Sequence, residues 1–144
     1  MSTLERLQAA LAAEHAAVHV LAVVAAQAAS AAPAAGQGGA FTLAAARHAV
    51  HLGRRDLLVD QLRAREAEPV AAAAAYELPE LGTTTLALAA GALVEERCLA
   101  VYADLVAASS GRLRAWSVEQ LQESAVAVLA WDGLPRPFPG ADEL

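Results

Sequence analysis

The sequence predicts an all-α protein, a bundle of four helices, and three observations carry that reading. Forty of its 144 residues are alanine, which has the smallest helical penalty, and few segments are rich in β-branched or aromatic residues. Apolar residues recur at spacings of three and four in four separate segments, the period of a helix with one buried face. Between them stand breaks of proline, glycine and serine at 30–39, 67–82 and 109–111, where helices stop. A chain of this length is expected to form one domain, 1–144, around one core, with a proline-rich tail at 135–144.

The first helix is expected over Thr3–Ala29. Ser2 and Glu5 have the spacing of a capping box, in which each satisfies a free amide of the other. Leu4, Leu7, Leu11, Val18, Leu21 and Ala25 mark its buried stripe. Glu14 falls on that stripe, and a buried carboxylate needs a partner. The second helix is expected over 43–66 with Thr42 as its cap, burying Ala44, His48, His51, Arg55, Leu58 and Leu62. Arg47, Arg54, Asp60 and Arg63 would then lie further round.

Residues 67–82 (AEPVAAAAAYELPELG) are longer than two adjacent antiparallel helices need, which suggests a crossover joining helices that run the same way. The third helix is expected over Thr84–Ala108, with Leu88, Ala92, Glu95, Leu99, Tyr102 and Val106 on one stripe. A fourth follows to about Trp131, with Leu113, Val118, Leu121, Ala125 and Val128 on its apolar face. The tail GLPRPFPGADEL cannot continue that helix, and Phe138 is expected to pin it to the bundle.

Charge and composition exclude several functions. The net charge of −6 argues against a nucleic-acid surface. Lysine is absent and all ten basic residues are arginine, a bias that suits a GC-rich coding sequence. Residues 16–32 (AAVHVLAVVAAQAASAA) are apolar, but Glu5, Glu14, His15, His19 and Gln27 make them poor as a leader or a membrane span. The single cysteine, Cys98, can form no internal disulfide, and a reducing cytoplasm is the compartment expected. Glu95 and Glu96 beside Cys98 would raise the pKa of its thiol, which disfavours a nucleophile. No glycine-rich phosphate loop and no serine nucleophile elbow occur.

The chemistry concentrates in RHAVHLGRRD, residues 47–56. Together with the Glu14-His15 pair, the 67–82 connection, Glu95 in VEER and the FPG at 138–140, this stretch resembles a family of alanine-rich bacterial ferritin-like domains. The resemblance spans nearly the whole chain. It implies a ferritin-like bundle, whose di-iron members carry a glutamate on each of two helices and a Glu-x-x-His on the other two. By that resemblance Glu14 and Glu95 match the lone glutamates and His51 the histidine of the second helix. His48 stands where that motif's glutamate belongs, and the fourth helix offers only Glu119 or Glu123. The chain thus departs from the pattern on two helices of four, which weighs against a di-iron oxidase and iron storage.

Three readings of the cluster follow. In the first, Glu14, His48, His51 and Glu95 hold iron, manganese or zinc, and the chain is a metal-dependent oxidoreductase. In the second, Arg55 and His51 neutralise Glu14 and Glu95 where relatives use metal, with Arg54 and Asp56 beside them. In the third, the groups line a solvated helix edge, as His15, His19, Asp56 and Arg63 would. A pocket between helices in which Arg55 holds an anion is a further option. The reading carried forward is a scaffold or binding protein with no catalytic residues and no cofactor, its metal centre replaced by a network of Glu14, His51, Arg54, Arg55, Asp56 and Glu95. Alanine-rich faces and leftover apolar surface suit a homodimer.

Overall fold

The computed structural model describes residues 1–30 and 38–135, and among them every regular element is helical. Four helices follow one another: α1 (Thr3–Ser30), α2 (Gly38–Arg63), α3 (Thr84–Ala108) and α4 (Gly111–Asp132). The expected 30–39 break is described only at its ends, and Phe138 and the FPG stretch lie outside the described residues.

The capping box forms as predicted. Ser2 Oγ accepts the Glu5 amide at 3.2 Å while Glu5 Oε2 accepts the Ser2 amide at 2.6 Å. Thr83 caps α3 through its hydroxyl, which accepts the Leu86 amide at 3.2 Å. The start of α2 differs from expectation, for the helix begins at Gly38 and takes in Thr42. Glycine costs roughly 1 kcal/mol in a helix but offers no steric bar, so the Gly38-Gly39-Ala40 run is recruited into the first turn.

That helix also stops three residues early. The Glu66 amide donates to Arg63 O and the Ala67 amide reaches back to Leu62 O, the two bonds of a Schellman ending. Glu66 occupies the left-handed position with φ 57°. Leu62 is fully buried, and Ala67, partly buried, packs against the same core.

In the bundle α1 packs against both α2 and α3, and α3 packs against α4. The core gathers Leu7, Leu11, Leu21, Leu58, Leu62 and Leu105, all with no exposed surface. At one end the Trp131 indole of α4 lies flat on Gly91 of α3, so close that a Cβ there would meet Cε3 at 2.5 Å. Contacts across α2 and α3 rise together in number: Arg47 with Glu95, then Arg54 with Tyr102. The two helices therefore run in the same direction.

The connection from 64 to 83 lies along α1. The Gln8 side chain donates to Glu68 O at 2.7 Å and accepts the Val70 amide at 2.8 Å. His15 Nε2 meets Val70 O at 3.1 Å, and His19 packs against the Tyr76 ring with centroids 5.2 Å apart. These histidines were expected simply to face water; His19 is exposed and His15 half-buried, and both also contact the connecting segment.

By length and composition α1 is apolar enough to cross a membrane. Within the bundle, however, its residue Glu14 is fully buried and hydrogen-bonded.

Candidate functional site

Two helices bring an acid and a third brings a histidine to one point. Glu14 of α1 and Glu95 of α3 have no exposed surface, and between them sits His51 of α2, equally buried. His51 Nδ1 is 2.6 Å from Glu14 Oε2 and its Nε2 is 3.2 Å from Glu95 Oε1. Ionised carboxylates only accept hydrogen bonds, so an imidazole clamped between two of them must donate from both nitrogens. His51 is therefore an imidazolium. Burial opposes that charge, but hydrogen bonds with Cys98, Glu14 and Glu95 outweigh it, and the pKa is pushed up to about 11.

The remaining lone pairs are taken by α2 and α3. Arg47 grips Glu95 with both faces of its fork, Nε to Oε1 at 2.6 Å and Nη2 to Oε2 at 3.2 Å. Burial would raise the Glu95 pKa, yet His51 and Arg47 together bring it down to about 2. The Tyr102 hydroxyl donates to Glu14 Oε1 at 2.6 Å, and burial with the nearby Glu14 charge holds that phenol well above its ordinary pKa. Arg54 lies 3.9 Å from the same carboxylate oxygen, with its guanidinium carbon 5.3 Å from the Tyr102 ring centroid.

A fourth helix closes the set. Arg54 donates to Gln120 Oε1 at 2.9 Å, to Ser124 Oγ at 2.8 Å and to Glu123 Oε2 at 2.8 Å. Arg47 reaches Glu123 from the other side at 3.1 Å. Burial notwithstanding, the Arg54 guanidinium keeps the Glu123 carboxyl below its usual range. Glu14, Glu95 and Glu123 thus face Arg47, His51 and Arg54, and the charges balance.

Of the residues named from sequence, Glu14, His51, Arg54 and Glu95 come together, while Arg55 and Asp56 do not. Arg55 is not in the cluster: it pairs with its neighbour Asp56 at 2.7 Å, where 31% and 66% of the two side chains are exposed. Arg54 and Arg47, which were expected further round, have 3% and 8% exposure and hold the acids. His48 is only partly buried and does not join the acids. Tyr102 was read as plain core, and the buried serines of α4, Ser117 and Ser124, were not anticipated.

Among the described residues, the group whose ligand atoms converge is Glu14, His51 and Cys98, all within 4.8 Å of one another. Cys98 is buried, and burial followed by the Glu14 charge pushes its thiol pKa up. The thiol is held neutral, both His51 nitrogens face carboxylates, and Tyr102 and His51 each take one lone pair of Glu14, so a cation there would have to displace protons in order to bind. A paired-iron centre fits less well still, since two guanidinium groups stand where further acids would be needed.

The family described as Domain of unknown function (DUF4439) matches residues 6–143. The chain is a DUF4439 domain. Two solved chains are similar to it in fold. One is the crystal structure of a conserved hypothetical protein, rv2844, from Mycobacterium tuberculosis, with a TM-score of 0.80 and 28% identity. The likeness covers 91% of this DUF4439 domain and 95% of that chain. A comparison with curated proteins finds no match.

Proposed function

We propose that this DUF4439 domain is a non-catalytic ferritin-like scaffold, in which residues 64–83 form the crossover and a buried ion network takes the place of a metal centre. One observation carries the reading: both nitrogens of His51 face carboxylates within hydrogen-bond distance. A histidine that ligates metal must present a lone pair, and one that donates to carboxylates from both nitrogens would first have to give up a proton.

The network's role is to set how the helices meet. Each acid accepts bonds from another helix, and Arg47 and Arg54 of α2 reach both acids and α4. An intact buried network adds little net stability, while loss of one member strands a charge at about 3–5 kcal/mol. Slippage of any helix by one turn would do the same, so the network selects one register.

A second reading, a metal-dependent oxidoreductase using iron, manganese or zinc, is favoured only by the closeness of Glu14, His51 and Cys98. The test is a pair of measurements on the full chain purified without chelator. The scaffold requires less than stoichiometric metal by elemental analysis and a melting temperature that ignores chelator. Glu14→Gln should then destabilise the fold by about 3–5 kcal/mol in urea. One or two ions per chain, lost together with stability on chelation, would overturn the proposal. We place the scaffold in the cytoplasm, as a homodimer.

A further inference from the structure

A cleft of about 480 Å³ opens between the last turns of α2 and the first turn of α4, away from the ion network. Its size falls within the range of small-molecule sites, roughly 300–1,000 Å³. Leu57, Leu113 and the Trp116 indole supply an apolar wall, while Arg65 and Arg112 stand on its rim, and no acid is among its lining residues.

Neither arginine pairs with a carboxylate among the described residues, although five acids elsewhere are paired with arginine. Arg65 spends Nη1 on Gln61, donating to its main-chain and side-chain oxygens at 2.7 and 2.8 Å. Those bonds orient the guanidinium and leave its other nitrogens available. Ser110, also in the lining, begins α4 without making a side-chain cap bond. Helix α4 therefore starts beside the cleft with its first amides uncapped by that side chain. Trp116 makes an edge-on contact with the buried Tyr102 ring, centroids 5.6 Å apart.

We propose that this cleft binds a small organic anion, with a carboxylate or phosphate head between Arg65 and Arg112 and a flat apolar body against Trp116. Guanidinium forks match both head groups two atoms at a time. The proposal stands apart from the scaffold reading, because no cleft residue belongs to the ion network's acids or their cations.

Calorimetric titration of the full chain with 2-naphthoate and 2-naphthyl phosphate tests it. Saturable binding of one molecule per chain is expected, and whichever probe binds more tightly assigns the head group. Arg65→Ala and Arg112→Ala, both at exposed positions, should each weaken binding about tenfold or more. Arg97→Ala, an exposed arginine of α3, should leave binding unchanged. No saturable heat with either probe, or equal losses from all three variants, overturns the proposal. So does inorganic phosphate binding as tightly as naphthyl phosphate, since the apolar wall would then recognise nothing. Unchanged melting temperatures of the three variants without ligand separate these outcomes from misfolding.

Discussion

His51 keeps its proton up to about pH 11, against an ordinary value of 6.5, and Glu95 keeps its charge down to about pH 2, against 4.5. A raised basic group stabilises the fold in full below its unfolded pKa and loses that contribution as pH rises toward the folded value. A depressed acid does the reverse, contributing in full above its unfolded pKa and losing it as pH falls. The urea midpoint should therefore be highest between pH 4.5 and 6.5 and decline on both sides. The alkaline slope is at most about 1.4 kcal/mol per pH unit for one proton. His51→Gln should flatten the alkaline limb; a wild-type midpoint that stays level between the ordinary pKa of His51 and mildly alkaline pH would contradict the imidazolium. The acids of this pair were legible from sequence because an ionisable residue on an apolar stripe announces a buried partner. The arginines were legible only in part, for Arg54 was named together with Arg55 and Arg47 was not. Successive helical residues turn by about 100°, so Arg47 and Arg54 lie on one flank of His51, and His48 and Arg55 on the other. Periodicity alone gives the two flanks equal standing.

At the scale of elements, the end of α2 carries a measurable strain. Glu66 adopts φ 57°, a conformation that costs an ordinary residue about 1–2 kcal/mol and glycine almost nothing. Glu66→Gly should accordingly stabilise the fold by up to about 1 kcal/mol, read from the urea midpoint at unchanged slope. A loss of stability would mean that the Glu66 side chain has a role beyond the turn. Gly91 illustrates the opposite case. Alanine there would favour α3 by roughly 1 kcal/mol on propensity alone, but its Cβ would meet the Trp131 ring at 2.5 Å. Gly91→Ala should therefore lower stability by about 1 kcal/mol or more, as overpacking does, and a neutral or stabilising result would show that the indole moves freely. Helix α3 came out with the bounds read from sequence because Thr83 and Ser109 punctuate both ends. The bounds of α2 did not, since its first turn is made of glycines and its stop is a glutamate in a glycine's place.

For the molecule as a whole, the homodimer is argued from apolar side chains of α3 and α4 that remain open. Leu93 leaves 37% of its surface uncovered, Leu129 44% and Val126 68%. Sedimentation of the wild-type chain should give the dimer mass and Val126→Arg the monomer mass at the same concentration; a monomeric wild type removes the proposal. The sequence by itself determined the helical content, the number of helices and the presence of buried acids, since these depend on propensity and period along the chain. Which side of α2 would meet those acids was decided only by the position of α4. Glu123, Gln120 and Ser124 lie on the Arg47–Arg54 flank and compensate the burial of two guanidinium groups there. Arg55, half-buried, pairs instead with its exposed neighbour Asp56. A charge enters the core where another element can satisfy it, and that neighbour is set by the fold and not by the spacing of residues along one helix.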